Sequence, residues 1–321
     1  MQTIVGRTID SALYQGVDRI RALGVPVSPR GKDTLEIPEP VSTTYPPGFD
    51  CVLQDPLRDA NPFFHLFEML WILVGRDDVE FLTYFNSRMG EYSDNGKVFH
   101  APYGQRLGLQ YPLWDTRNQV GECVRILEQD PHSRQAVLQI WDKKLDLNVT
   151  SKDIPCNDLI FLKVRDGVLN ITVCCRSNDM IWGAYGTNVV QFHHLHQYIA
   201  SLLKVFVGTY TQISDSFHVY LDSPVWRRLL VREYSKPTPI SKIPLVENSE
   251  NFQEELNIFL CYVSDVQKNG LFPEFDYHYE NSFFPYVCHP MLYLWESRVI
   301  PFQPETNEWL VAGAEWVRRR T

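Results

Sequence analysis

Long apolar runs are missing from this chain of 321 residues. The most apolar stretch, Leu66–Val74, carries Glu68 and is too short to span a bilayer, so no membrane partner is expected. The opening residues, MQTIVGRTIDSALYQG, lack a basic start followed by an apolar core, which argues against a signal peptide. CxxC pairs are absent too. The seven cysteines are odd in number and irregularly spaced, which favours reduced thiols in a cytoplasmic protein over a disulfide framework. Basic residues are not in excess. A net charge of −9 does not suit a nucleic-acid polymer as partner, although a few arginines can still build a local pocket for a small anion. GxGxxG after a strand, GxxxxGK[ST], GxSxG and HExxH do not occur, so nucleotide-cofactor and hydrolase readings get no support. Internal repeats and low-complexity linkers are also lacking.

What is present is a globular composition, 44% hydrophobic and 21% charged, which excludes disorder and fibrous architectures. At about 150 residues per domain the length allows two domains, yet no linker divides the chain, and residues 1–321 read as one catalytic domain. Residues 3–23 read as a helix. Asn61 and Pro62 form a cap and first-turn pair for a buried helix over 62–74, and a short helix over 77–88 follows Gly75. The prolines at 38, 40, 46 and 47 read as an irregular loop. Gln135–Trp141, Leu159–Val164 and Val168–Cys175 are β-rich, and Asp166-Gly167 marks a hairpin between the last two. Helices are expected over 186–206, 249–268 and 304–318, with strands near 207–220. The class is α+β, since no regular βαβ alternation appears.

Glu68 is the first chemical anomaly. On a helix its neighbours are Phe64, Trp71 and Ile72, so the carboxyl is either desolvated with a raised pKa or on a solvated face. Cys156 follows Pro155 just before a strand. It is either a mounted nucleophile, with Arg134 or Arg176 favouring the thiolate, or an inert buried thiol. Arg176-Ser177-Asn178-Asp179 before Gly183 could hold a phosphate or form a polar turn. His193 and His196 share a helix face, but no carboxylate pattern completes a metal site, so no metal is expected.

Taken in order, FHLFEMLWILVG (64–75), HAPYGQRL (100–107), DPHSRQAVLQIW (130–141), IPCNDLIF (154–161), DGVLNITVCCRSNDMIWG (166–183) and SDSFHVYLD (214–222) resemble the thymidylate synthase family. The resemblance implies a mixed, twisted sheet packed with helices, a symmetric homodimer, and C5 chemistry on a pyrimidine nucleoside monophosphate with 5,10-methylenetetrahydrofolate as co-substrate. It implies that Cys156 adds to C6 of the base, that Glu68 manages proton transfers and an ordered water, and that Tyr103 belongs to the catalytic group. Arg176 and Ser177 would hold the phosphate with Arg30, and Arg134 would reach it from the partner subunit. His218 and Tyr220 would bind the sugar hydroxyl, Asn188 would read the base, and Asp179 and Gly183 would lie at the folate.

Several positions depart from the family pattern. Pro155-Cys156 is followed by Asn157 rather than His, and Arg134 is followed by Gln135 rather than a second Arg. GAYGTN (183–188) is one residue longer than usual, which leaves Thr187 competing with Asn188. Residues 86–96, NSRMGEYSDNG, lack the tryptophans expected beside folate, and the chain closes on EWLVAGAEWVRRRT. A loosely held folate would let water, rather than hydride, attack the methylene on the base. The chain is therefore similar to the hydroxymethylase branch known in phage-type and antibiotic-pathway enzymes. Hydroxymethylation of dUMP is favoured, with dCMP, reductive methylation and a catalytically silent nucleotide-binding paralogue as alternatives.

Overall fold

The structure, a computed structural model, describes residues 1–231, 242–300 and 307–321. Eight strands form one mixed sheet: β1 (Gln2–Val5), β2 (Val25–Val27), β3 (Thr34–Ile37), β4 (Val41–Tyr45), β5 (Val137–Gln139), β6 (Asn157–Arg165), β7 (Val168–Asp179) and β8 (Phe206–Tyr220). The order is β1-β4-β8-β7-β6-β5, with β3 also pairing the end of β8 and β2 pairing β3. The α+β architecture expected from the sequence is the one observed.

The hairpin between β6 and β7 turns on Asp166 (φ 52°) and Gly167 (φ 72°), both left-handed, as a tight turn matched to strand twist requires. β7 and β8 are parallel, and the Asn188–Leu202 helix makes the crossover between them. Along β7 the side chains alternate. Leu169, Ile171, Val173 and Cys175 are buried, whereas Thr172 and Cys174 on the opposite face are half-buried. The Pro62–Leu73 helix is apolar on every side and every residue in it is buried, as such a helix must be. Asn61 caps it, Oδ1 accepting the Phe64 amide at 3.1 Å.

Four expectations need correction. Residues 2–5 form β1, not the first turn of a helix. The β-branched pair Ile4-Val5 pairs with β4, and the capping box of Thr8 and Ser11 starts the helix only at Ile9. The prolines at 38–47 flank β4 rather than making one loop, because Val41–Tyr45 is free of proline and pairs with both β1 and β8. The helix expected over 186–206 begins at Asn188, after an irregular wide-turned segment, Met180–Thr187, in which Tyr185 and Gly186 leave helical geometry. In the last helix, Glu308–Arg318, Asn307 sets the start by capping Leu310, while positions 304–306 lie outside the described residues.

Candidate active site

Strand direction gathers the site. β6 runs antiparallel to β7, so the start of β6 lies beside the end of β7, and β8, parallel to β7, ends at the same edge. Asn157 pairs with Cys175, Ser177 with Ser216, and Asp179 with His218. Cys156, Arg176, Ser177, Asp179, His218 and Tyr220 are thus brought to one end of the sheet. Thr34 of β3 pairs with Tyr220, so the preceding turn, with Arg30 in a left-handed conformation (φ 53°), overhangs that end.

Arg176 clamps the cysteine loop. Its Nε donates to Pro155 O at 2.8 Å and Nη2 to Ile154 O at 3.1 Å, while its backbone amide donates to Cys156 O at 3.0 Å. The guanidinium also lies 5.3 Å from the Trp141 ring centroid. Burial pushes the Cys156 thiol up. Arg176 and Arg30 act against that shift, and Asp153 and Asp158 reinforce it. At neutral pH the thiol is held protonated, so its nucleophilic form depends on a proton being removed.

Glu68 is 8% exposed, and burial raises its pKa to about 8, opposed by a hydrogen bond from Gln191 and assisted by Asp153. Its Oε2 has no protein partner. Of the two readings, the desolvated carboxyl is the one observed. Tyr103 opens a short helix, stacks on Phe192 with ring centroids 5.7 Å apart, and accepts a hydrogen bond from Asn157 Nδ2 at 3.0 Å.

Asn188 begins its helix with the side chain turned back to β7. Its Nδ2 donates to Asn178 Oδ1 at 3.3 Å, and Asn178 donates to Ser214 Oγ at 2.9 Å. Gly183 fits beneath this pair. A Cβ there would sit 2.5 Å from Asn178 Oδ1 and 2.9 Å from Asn188 Nδ2, so only glycine permits the approach. Thr187 is also buried. Asp179 Oδ1 accepts the amides of Ile181 and Trp182 at 2.7 and 2.9 Å, and burial raises its pKa against the pull of His218 and Arg58. Next to it the Trp182 ring, 38% exposed, lies over Phe64. His218 and Tyr220 meet edge to face at 5.4 Å, with Lys32 above the Tyr220 ring at 5.7 Å.

Arg134 stands apart. Val137 pairs with Phe161, so the chain before β5 points away from Cys156, and Arg134 is exposed roughly 25 Å along the strand direction from it. The three helix histidines are buried in packing. His194 Nδ1 contacts Val190 O and His196 Nε2 contacts Leu169 O, both at 2.7 Å, and the His193 ring lies 4.3 Å from that of Phe49. Among the described residues no three His, Cys, Asp or Glu side chains could hold a metal, and no helix is long and apolar enough to cross a membrane. Sequence reasoning missed Gln191 and gave Asp153 no role, while Asn178, expected in a phosphate-binding segment or polar turn, holds Asn188. The one available signal was spacing: Gln191 lies three residues after Asn188, on the same helix face.

The family model for thymidylate synthase matches residues 62–268, which include Glu68, Tyr103, Cys156, Arg176 and Asn188. The chain belongs to the thymidylate synthase family. Over its whole length it is 34% identical to a deoxyuridylate hydroxymethyltransferase of Pseudomonas phage M6, covering 95% of that protein. It is 41% identical over 204 residues to one of Bacillus phage SP01, 61% of this chain and 53% of the relative. A third, from Delftia phage PhiW-14, is 27% identical over 66% of this chain. As a thymidylate synthase family member the protein is a one-carbon transferase.

Two departures from the family pattern now have a place. The 86–96 segment forms a short 3-10 turn, Ser87–Tyr92, and then docks on the cysteine loop: Asp94 accepts Ser151 Oγ at 2.6 Å and the Lys152 amide at 3.0 Å. The closing Glu308–Arg318 helix packs against the Pro62–Leu73 helix. Trp316 lies edge-on to Phe63 at 5.5 Å, and Arg319 and Arg320 pair with Asp59 at 3.1 and 2.7 Å.

Proposed function

We propose that the protein transfers a hydroxymethyl group to C5 of dUMP. Cys156 adds to C6 and makes C5 nucleophilic. Arg176, Ser177 and Arg30 hold the phosphate, with Arg134 supplied by the partner subunit, because its own site lies out of reach. His218 and Tyr220 take the sugar hydroxyl. Asn188 reads O4 and N3–H of uracil, its orientation set by Asn178. Tyr103 and Glu68 attend the proton transfers, and a carboxyl whose pKa is about 8 is still protonated at neutral pH.

The residues present suit a folate. Trp182 offers an exposed ring face, Asp179 beside it an acceptor for N–H groups, and Gly183 a surface without a side chain. 5,10-Methylenetetrahydrofolate would supply the one-carbon unit. The homodimer would form across the open sheet face, where Val137, Phe161 and Phe206 are exposed. All 321 residues would then serve one catalytic domain, and seven free cysteines suit a cytoplasmic setting.

One observation carries the choice of water over hydride. The 86–96 segment docked on the cysteine loop carries no tryptophan, and its Asp94 and Asn95 are exposed, so it brings no indole ring to exclude water from that side. The whole-length likeness to a phage hydroxymethyltransferase supports the same outcome. Tritium release from C5-tritiated dUMP in the presence of methylenetetrahydrofolate tests the chemistry. Release that disappears in Cys156→Ala is expected. No release from either dUMP or dCMP would mean a silent nucleotide binder.

A further inference from the structure

His218 is held through one ring nitrogen only. Ser216, His218 and Tyr220 alternate with the core residues Phe217 and Val219 along β8, so the three side chains share a face. Glu36 of β3 stands opposite His218 in the ladder and reaches diagonally to Ser216. The Ser216 hydroxyl donates to Glu36 Oε2 at 2.5 Å, and Ser216 Oγ lies 3.2 Å from His218 Nδ1. Nδ1 also faces the Ser216 carbonyl oxygen at 3.4 Å. The imidazole is buried, and its Nε2 has no hydrogen-bond partner among the described residues.

These contacts permit one arrangement of protons. A carboxylate only accepts, so Ser216 gives its single proton to Glu36. The serine oxygen is then an acceptor toward Nδ1, and the backbone carbonyl can be nothing else. Nδ1 therefore carries the hydrogen. In the neutral ring the other nitrogen, Nε2, is left as a bare lone pair. Glu36 thus decides, through Ser216, what His218 presents to a ligand.

We infer that Glu36 and Ser216 are positioning residues that make His218 Nε2 an acceptor, so that the site selects nucleotides with a free 3′-hydroxyl. This rests on the reading that His218 and Tyr220 take the sugar hydroxyl. In dUMP the phosphate occupies O5′ and C2′ bears hydrogen, which leaves the 3′-hydroxyl as the one donor on the sugar. Its proton goes to Nε2, while its oxygen accepts from the Tyr220 hydroxyl. A nucleotide esterified at O3′, by a phosphate or by the next residue of a polymer, has no proton there. It would leave the buried Nε2 unmatched.

The test sets dUMP against its 3′-deoxy-3′-fluoro analogue, in which a group without a proton replaces the hydroxyl. For the unaltered protein the analogue should show a KM at least about tenfold higher, since the Nε2 lone pair then faces fluorine. Glu36→Gln keeps the shape but can donate to Ser216, which frees the serine proton for Nδ1 and puts hydrogen on Nε2. In that variant KM for dUMP should rise about threefold to tenfold, because its hydroxyl proton loses an acceptor, while the analogue holds or gains. The gap between the two substrates closes. Equal losses on both, or an unchanged gap, would overturn the assignment. Should the variant fail to fold, the unaltered protein still decides. In ¹⁵N-histidine-labelled protein, with the His218 signals identified by their loss in His218→Gln, hydrogen must sit on Nδ1 and not on Nε2. The opposite tautomer contradicts the assignment. Failure of the sugar-site reading looks different: the tautomer would stand, but His218→Gln would leave KM for dUMP unaltered, and the selection would fall with it.

Discussion

Asn157 ties Tyr103 to the sheet. Its Nδ2 donates to the Tyr103 hydroxyl at 3.0 Å, and its Oδ1 accepts from the Cys175 thiol at 2.7 Å. The residue that follows the cysteine, where the family pattern has histidine, thus closes a buried chain running from β7 to the site. Asn157→Leu would leave the hydroxyl and the thiol without partners, at about 1–3 kcal/mol for the more polar hydroxyl. A lower urea midpoint with an unchanged m-value is the expected outcome. An unaltered midpoint would show that neither bond matters to folding.

Glu68 should make the protein less stable as the solution becomes alkaline. Its folded pKa is about 8 against 4.5 for the free group, so between those values the unfolded chain binds fewer protons than the folded one. The cost of the buried carboxyl is absent below about pH 4.5, grows through neutrality, and levels off above pH 8, reaching at most about 5 kcal/mol. Glu68→Gln removes that dependence. The difference in unfolding free energy between the two proteins should therefore widen in favour of Gln from pH 5 to pH 8, while the variant loses tritium release.

Gly183→Ala drives a methyl into the Asn178–Asn188 pair. Both amides are buried and must shift, which costs about 1–3 kcal/mol and misaligns the amide proposed to read the base. The expected result is a KM for dUMP raised about tenfold or more, measured beside a modest fall in melting temperature.

Asn188→Asp exchanges a group able to face O4 and N3–H of uracil for one suited to the amino group of cytosine. Unmatched buried polar groups discriminate by up to about 10⁴-fold. Relative kcat/KM for dCMP over dUMP should rise by at least about 100-fold. The same change made at Thr187 should leave the ratio near its starting value, because the Thr187 side chain is not the one turned toward Asn178.

Much of this site was legible in the chain because its signals are local. Asn61-Pro62 before an apolar run announced a buried helix, and the carboxylate inside that run singled out Glu68, although whether it was desolvated or solvated was decided only by the fold. Asp166-Gly167 fixed the hairpin that carries Arg176 back to Cys156. The misses are non-local. β1 depends on β4, which starts thirty-nine residues later at Val41, so Ile4-Val5 looked like the lead into a helix. Asp153 and Gln191 are single polar residues whose meaning comes only from what folds against them, Ala101 in one case and Glu68 in the other. Arg134 marks a further limit, since its position in one protomer leaves it far from the cysteine whatever its local sequence.

The most direct test of hydroxymethylation is the mass of the nucleotide formed from dUMP and methylenetetrahydrofolate. A gain of CH₂O, with tetrahydrofolate as co-product, is the predicted result. A gain of CH₂ with dihydrofolate would mean that hydride reaches the methylene before water, and would contradict it.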